Sequence, residues 1–290
     1  MPLIYTRTFR VRFTECDAYG HANNVQYARY MQEAAFEASA AAGYDFSRYD
    51  AIGTYWLVRE SEIEYLRPLR YNESFEVKTW VVDFRRVRSR RAYEFRKVGE
   101  DEIIARASTD WVYIDNATGR PIAIPPAMIA AFVPEGATEA PARDPFPAPP
   151  APPARIFKMR RRVMWQDIDG AQHVNNAVYL LYVEDCGMEV LKAFGWPVTR
   201  MNDEGFGIVV RKHHIQYLQP AVYDDEVEIA TYAYAMKRAS AIRYYTITRV
   251  NDGALLAQVA SLCVWVDLST GQPIRVPPQF RSDFLPNGVI

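Results

Sequence analysis

The sequence predicts an α+β protein made of two tandem copies of one domain, each a long helix wrapped by an antiparallel sheet. Three observations carry this prediction. One motif occurs twice in a single register, each occurrence opens a stretch of helical period, and each such stretch is followed by strand-like segments separated by turn residues.

The repeat comes first. TECDAYGHANNVQYARYMQEA returns as QDIDGAQHVNNAVYLLYVEDC, with Asp17 and Asp169 lying 152 residues apart. The same offset pairs His21 with His173, Asn23 with Asn175, Asn24 with Asn176 and Tyr27 with Tyr179. It still holds at Arg59 and Arg211, Tyr65 and Tyr217, and Gly119 and Gly271. Chance does not keep one register over such a distance, so the chain is a tandem duplication. The domains expected are residues 1–132 and 155–290, joined by a linker at 133–154. Pro145, Pro147, Pro149, Pro150, Pro152 and Pro153 favour extended polyproline II, which predicts a semi-rigid spacer.

Each copy opens with a strand, residues 5–13 and 157–165, followed by a polar loop and a helix. In the first helix Tyr27, Tyr30, Met31, Ala34, Ala35 and Ala38 recur at i, i+3, i+4 spacing, which gives one apolar stripe. Tyr179, Tyr182, Val183, Cys186, Val190 and Leu191 do the same in the second. Gly43 and Gly195 stand where a C-terminal cap belongs. Four strand-like segments follow, at 56–66, 74–84, 91–98 and 103–114, with counterparts in the second copy. Turn residues Gly99 and Asp101, and Asp252 and Gly253, join the last two. A helix with one apolar stripe beside such a meander buries it by lying across the sheet.

Composition bounds the function. With 290 residues, 49% hydrophobic and 24% charged, the chain can bury two cores of ordinary size. A formal net charge of -1 gives no overall attraction to nucleic acid or an anionic membrane. The three cysteines are too few and too scattered for a disulfide framework, and fit a reducing compartment. The first residues, MPLIYTRTFRVRF, alternate like a strand and lack a secretory apolar core, and no apolar run is long enough to span a bilayer. A soluble, cytoplasmic protein with no nucleic-acid partner and no membrane span is expected.

The chemistry sits in the repeated pattern D-x-x-x-H-x-N-N-x-x-Y, between a strand and a helix start. It puts a carboxylate and an imidazole just ahead of unpaired backbone N–H groups, whose dipoles favour negative charge. Cleavage of an activated ester needs both parts: an acid to attack or to activate water, and fixed donors for the developing oxyanion. Asp17 and Asn23 could instead do no more than cap the helix. The second occurrence, with the histidine kept, favours the chemical reading. His21 and His173 would orient water, bond the acid or hold the loop. Neighbouring His213 and His214 point to opposite faces of a strand and are expected to be structural. Cys16, whose counterpart is Ile168, is expected to be a small buried residue.

ECDAYGHANNVQYARYMQEA and DIDGAQHVNNAVYLLYVED closely resemble the active-site segment of the 4-hydroxybenzoyl-CoA thioesterase family of hotdog proteins. The second also resembles that of plant-type acyl-ACP thioesterases, which carry two hotdog halves in one chain. The resemblance implies two hotdog domains packed as an intramolecular pseudo-dimer, with sites where the halves meet and further oligomers of such units possible. It implies hydrolysis of acyl-CoA or acyl-ACP thioesters, with Asp17 and Asp169 as nucleophile or general base. The N–H at Asn24 and Asn176 would polarise the carbonyl, His21 and His173 would assist, and Asn23, Asn175, Tyr27 and Tyr179 would line the substrate. No cofactor is implied. The sets Glu15, Asp17, His21 and Asp167, Asp169, His173 lack a further metal ligand, so no metal is expected.

The acyl-ACP enzymes carry an Asn two residues after the Asp, where this chain has Tyr19 and Ala171. Their strand carboxylate aligns with Asp83 in the first copy but with Ala235 in the second. The simpler scheme of acid plus backbone amide therefore fits better. In the run RRVRSRR a strand would put Arg86, Arg88 and Arg90 on one face, either to meet the phosphates of CoA or to guard an exposed edge. Two other functions compete: a hotdog enoyl-CoA hydratase or dehydratase, whose motif carries a proline absent here, and a non-catalytic acyl-thioester binder.

Overall fold

A computed structural model describes residues 2–135 and 145–289. The chain divides into two compact units, Met1–Asp144 and Pro145–Ile290. Residues 136–144 of the expected linker lie outside the described residues.

The first unit runs β1 (Tyr5–Arg10), α1 (Asn24–Ala41), α2 (Phe46–Ala51), β2 (Thr54–Tyr65), β3 (Ser74–Phe84), β4 (Arg88–Lys97), β5 (Ile103–Asp115) and α3 (Pro126–Phe132). Its strands lie in the order β1-β3-β4-β5-β2, each pair antiparallel. The second repeats this with β6 (Phe157–Arg162), α4 (Asn176–Ala193), α5 (Val198–Asp203), β7 (Phe206–Tyr217), β8 (Glu226–Tyr234), β9 (Ser240–Arg249), β10 (Leu255–Asp267) and α6 (Pro278–Phe284). There β7, β10, β9 and β8 are successive neighbours, and β6 pairs with β8. A two-residue strand, β11 (Gly288–Val289), runs parallel to β8. Each unit is the long helix on an antiparallel sheet that the sequence predicts.

The apolar stripe explains the packing. Val25, Tyr27, Tyr30, Met31, Ala34, Ala35 and Ala38 are the buried face of α1, which lies on β1 and β3. Tyr30 meets Phe9 and Phe75 at ring distances of 5.0 and 4.8 Å, and Tyr27 meets Phe95 at 5.4 Å. Each such ring contributes about 2 kcal/mol or more by leaving water. Both long helices end in Schellman motifs. Gly43 and Gly195 adopt φ of 84° and 81°, while Tyr44 N–H bonds Ser39 O and Trp196 N–H bonds Leu191 O, each at 2.9 Å. The matched arginines Arg59 and Arg211 both fall at bulges, where the pairing register skips a residue.

Several local expectations are corrected. The first strands stop at Arg10 and Arg162, because a 3₁₀ turn follows in each unit, Phe13–Glu15 and Trp165–Asp167. A carboxylate folds back to close it, with Arg12 N–H donating to Glu15 Oε2 at 2.7 Å and Met164 N–H to Asp167 Oδ2 at 2.9 Å. Arg86 lies outside any strand. Arg85 and Arg88 close a tight hairpin, with Arg85 N–H to Arg88 O at 2.7 Å, which leaves only Arg88 and Arg90 on a common strand face. Cys16 is half-buried rather than buried, its Sγ 3.7 Å from Arg12 O. The described part of the proline-rich segment, expected to be a semi-rigid spacer, makes contacts within the second unit. Phe146 packs edge-on to His214 at 4.9 Å, and the Tyr232 hydroxyl donates to Pro150 O at 2.7 Å. Among the described residues no helix is long and apolar enough to cross a membrane.

Candidate active site

Each polar loop is a tight turn built on its aspartate. In the first unit Asp17 N–H donates to His21 O at 2.8 Å and Gly20 N–H to Asp17 O at 3.0 Å. The Asp17 carboxylate closes it from within, its Oδ1 accepting Tyr19 N–H at 2.9 Å and His21 N–H at 3.1 Å. Gly20 takes φ of 73°, which suits glycine. Asn23 N–H donates to Glu15 O at 2.9 Å and Ala22 N–H to Leu69 O at 2.7 Å, pinning the loop between the 3₁₀ turn and the sheet.

The second unit repeats the turn. Asp169 N–H donates to His173 O at 3.0 Å, and Asp169 Oδ1 accepts Ala171 N–H at 2.9 Å. Its other oxygen, Oδ2, accepts Asn175 Nδ2 at 3.0 Å. Gln172 holds φ of 63° where the first unit has Gly20. Both aspartates are half-buried.

The helix starts lie directly beyond. Asn23 and Asn175 are the N-caps, their side-chain oxygens accepting Val25 N–H at 2.8 Å and Ala177 N–H at 3.0 Å. Asn24 and Asn176 are the first helical residues, and their N–H groups have no acceptor among the described residues. Their carbonyls are fixed from the sheet, accepting the hydroxyls of Tyr65 at 3.2 Å and Tyr217 at 2.9 Å. That clamp escaped the sequence reading, although Tyr65 and Tyr217 already matched across the repeat. Tyr27 and Tyr179 are buried one turn in. Burial raises both hydroxyls, Tyr179 to about 12, and Tyr179 accepts Ala221 N–H at 2.9 Å. These two rings brace the helix start from the core side.

His21 is half-buried, and that burial pulls its pKa below the ordinary imidazole value. The Asp17 charge opposes the shift, and Arg70 adds to it. Glu15 and Asp167 hold structure instead: each accepts the hydroxyl of a helix tyrosine, Tyr30 or Tyr182, at 2.7 Å. Asp83 faces Arg85 at 3.3 Å. Arg90 is engaged by Ser108 Oγ at 2.8 Å and Glu62 at 3.4 Å, whereas Arg86 and Arg88 are exposed. His213 bonds Ser261 Oγ through Nδ1 at 2.8 Å inside the second unit, and burial lowers its pKa to about 4.

The chain matches the family model described as the thioesterase-like superfamily twice, over residues 11–132 and 163–284. It is 29% identical over 130 residues to the acyl-CoA thioester hydrolase YbgC of Escherichia coli, covering 44% of this chain and 96% of that protein. It is 29% identical over 123 residues to the long-chain acyl-CoA thioesterase FadM of the same species, covering 41% of this chain and 90% of that protein. In fold it is similar to an acyl-ACP thioesterase of Bacteroides thetaiotaomicron, with a TM-score of 0.71 at 17% identity over 90% of this chain and 97% of that one. Two matches in one register, over two copies of one hotdog-type unit, establish the assignment: the chain is a tandem member of the thioesterase-like superfamily and an enzyme of the thioester-hydrolase class.

Proposed function

We propose that the enzyme hydrolyses acyl-CoA or acyl-ACP thioesters with Asp17 in the first unit and Asp169 in the second. The observation that carries this reading is the recurrence of one arrangement: a carboxylate closing a turn, an asparagine cap, and a first helical N–H with no acceptor among the described residues. The names of YbgC and FadM support the acyl-CoA part, and the fold likeness to an acyl-ACP enzyme keeps the carrier-protein ester in view.

The carboxylate takes a proton from water as the oxygen adds to the thioester carbonyl. The carbonyl oxygen becomes an oxyanion, and the N–H of Asn24 or Asn176 donates to it. Collapse expels the thiolate, which takes up the proton held by the aspartic acid. In the alternative order the carboxylate itself adds, the thiolate leaves, and water cleaves the resulting anhydride. Both routes end in free acid and free thiol. His21 and His173 hold the acid through the turn, Asn23 and Asn175 hold the helix start, and exposed Arg86 and Arg88 would meet the nucleotide phosphates.

The test is release of free thiol from a panel of acyl-CoA esters by the wild type, Asp17→Asn, Asp169→Asn and the double variant. Loss in the double variant by about 10³-fold is expected. Undiminished turnover there, or hydration of an enoyl-CoA with no thiol released, overturns the proposal.

A further inference from the structure

Phe13 and Trp165, which match across the repeat, are the two most exposed large apolar side chains among the described residues, at 76% and 72%. Each opens the 3₁₀ turn that precedes its aspartate loop. Each meets a second exposed ring from the β2–β3 or β7–β8 turn: Phe13 lies edge-on to Tyr71 at 5.7 Å, and Trp165 edge-on to Tyr223 at 5.8 Å.

The backbone that presents them is the same twice. Val11 N–H donates to Glu73 O at 3.0 Å and Val163 N–H to Asp225 O at 2.8 Å, which ties the two turns of each unit together. Asn72 and Asp224, next in the chain after the second rings, share the left-handed conformation with φ of 71° and 70°. Folding alone does not favour ring pairs in water, and keeping one at the same place in both units marks a contact surface.

What surrounds the rings differs. In the first unit they are flanked by Arg12 and Arg70, and the same places hold Met164 and Val222 in the second, all four exposed. Arg162 is ion-paired with Asp224 at 3.0 Å, but where its counterpart Arg10 would find that carboxylate the first unit has Asn72. The first face thus gains one positive charge over the second at each of three positions. Arg10, Arg12 and Arg70 are exposed, and among the described residues no carboxylate lies within ion-pair distance of their guanidiniums. Arg10 and Arg12 also line an open groove of about 480 Å3, together with Tyr71 and Asn72.

One partner suits both faces. A folded protein complementary to three guanidiniums would leave Met164 and Val222 unmatched. Isologous pairing of the first face with a second copy would set three arginines against three. A bilayer interface offers what each face needs: headgroup phosphates for guanidiniums, a shallow apolar layer for Met164 and Val222, and between them the level where aromatic rings settle. The formal net charge of -1 gives no overall pull, so the attraction is local.

We infer that each face is a docking surface for an anionic phospholipid bilayer. The first acts through Arg10, Arg12 and Arg70 on headgroup phosphates, and the second through Trp165, Tyr223, Met164 and Val222 in the interfacial layer. Both border the proposed chemistry: Asp17 and Asp169 follow closely on the 3₁₀ turns, and Arg70 pairs with His21 in a backbone bridge. Docking needs no turnover, so it stands or falls apart from the hydrolase reading.

The experiment is co-sedimentation of the full-length chain with vesicles of phosphatidylcholine alone and of phosphatidylcholine mixed with phosphatidylglycerol. The wild type should sediment with the mixed vesicles, far less with the neutral ones, and less again as salt rises. Arg10→Gln with Arg12→Gln should weaken binding to the mixed vesicles by about tenfold or more, because each guanidinium at an anionic surface is worth about fivefold. Phe13→Ser with Trp165→Ser should abolish it. All four side chains are exposed, so these variants should melt with the wild type. Tryptophan emission should shift to the blue when the wild type meets mixed vesicles, and Trp165→Tyr should keep binding but lose that shift. Failure of the wild type to sediment with mixed vesicles, or equal sedimentation of wild type and variants, overturns the inference. So does self-association that Phe13→Ser with Trp165→Ser abolishes in place of vesicle binding, which would make the rings a contact between copies. Inorganic phosphate bound through Arg10 and Arg12, with no vesicle binding, would make the groove a small-anion site and overturns it too.

Discussion

Asn175 joins the acid of the second unit to the start of its helix: Nδ2 donates to Asp169 at 3.0 Å while Oδ1 accepts Ala177 N–H at 3.0 Å. One carboxamide thus fixes a carboxylate relative to the helix N-terminus. Asn175→Ala removes both bonds. It should lower stability by about 1 kcal/mol, the usual worth of an N-cap. If the proposed roles hold, an Asp17→Asn background works through the second unit alone, and adding Asn175→Ala should lower its thiol release further through kcat than through KM. Asn175→Asp keeps the cap but sets two carboxylates face to face, so it should regain the cap's share of stability less their repulsion, and no turnover. Denaturant melts and steady-state kinetics on the same samples separate the two effects.

The clamp on the other side of the helix start makes a different prediction. Tyr65 and Tyr217 donate to the carbonyls of Asn24 and Asn176 from the sheet. Each Tyr→Phe change costs about 1 kcal/mol in hydrogen bonding. It also frees the peptide next to the proposed oxyanion donor. Turnover should drop by about tenfold with KM little changed, because the bond orients a group that acts on the transition state. A fall in stability with no change in kcat would assign the clamp to folding alone.

Much of this was legible in the sequence, for identifiable reasons. The repeat, the apolar stripe from Tyr27 to Ala38 and the caps at Asn23 and Gly43 follow from spacing and backbone preference, which are local properties. The 3₁₀ turns were not legible, because they depend on Glu15 and Asp167 reaching back to a backbone N–H inside an alternating stretch. The short helices α3 and α6 carried a signal that went unread, a proline at the first helical position in each. The burial of Arg91 was obscured by its surroundings. Strand alternation already sets Arg88 and Arg90 apart from Arg91 within RRVRSRR, but the run itself gives no sign of which face is the core. Docking of Phe146 on His214 is tertiary and leaves no periodic trace.

Gln172 is the costly version of Gly20. Both sit at the same place in their turns with positive φ, 63° and 73°. A side chain in the left-handed region costs about 1 kcal/mol that glycine avoids. Gln172→Gly should therefore raise the stability of the second unit by up to about that amount, and Gly20→Ala should lower the first unit's by a similar one. Thermal melts would check both. A destabilised Gln172→Gly would mean that the glutamine side chain makes up for its backbone.

His213 gives the protein an acid-sensitive element. It is buried against Ser261, and its pKa falls to about 4 from the ordinary 6.5 because burial disfavours the imidazolium. The unfolded chain gains this proton near pH 6.5 and the folded one only near pH 4. Stability from this group is thus complete above pH 6.5 and is lost as pH falls toward 4, by about 3 kcal/mol in all. Urea titrations at intervals from pH 7 to pH 4 should show this slope in the wild type. His213→Gln should lack that share of it, and parallel curves for the two proteins would rule the element out.

The cysteines bear on every thiol-release measurement. Burial raises Cys186 to about 12 and Cys263 to about 11. Neither forms appreciable thiolate at pH 8, and thiolate is the reactive species. Cys16 alone is half-exposed. An aromatic disulfide reagent should therefore titrate one thiol rapidly in the native protein and all three of the chain's cysteines in denaturant. Cys16→Ser should abolish the fast phase and leave turnover unchanged, because the matching residue in the other copy is Ile168, which has no thiol. Two or more fast thiols in the native protein would show that the core around Cys186 or Cys263 opens on the time scale of the assay. Loss of turnover in Cys16→Ser would draw that side chain into the chemistry of its neighbour Asp17.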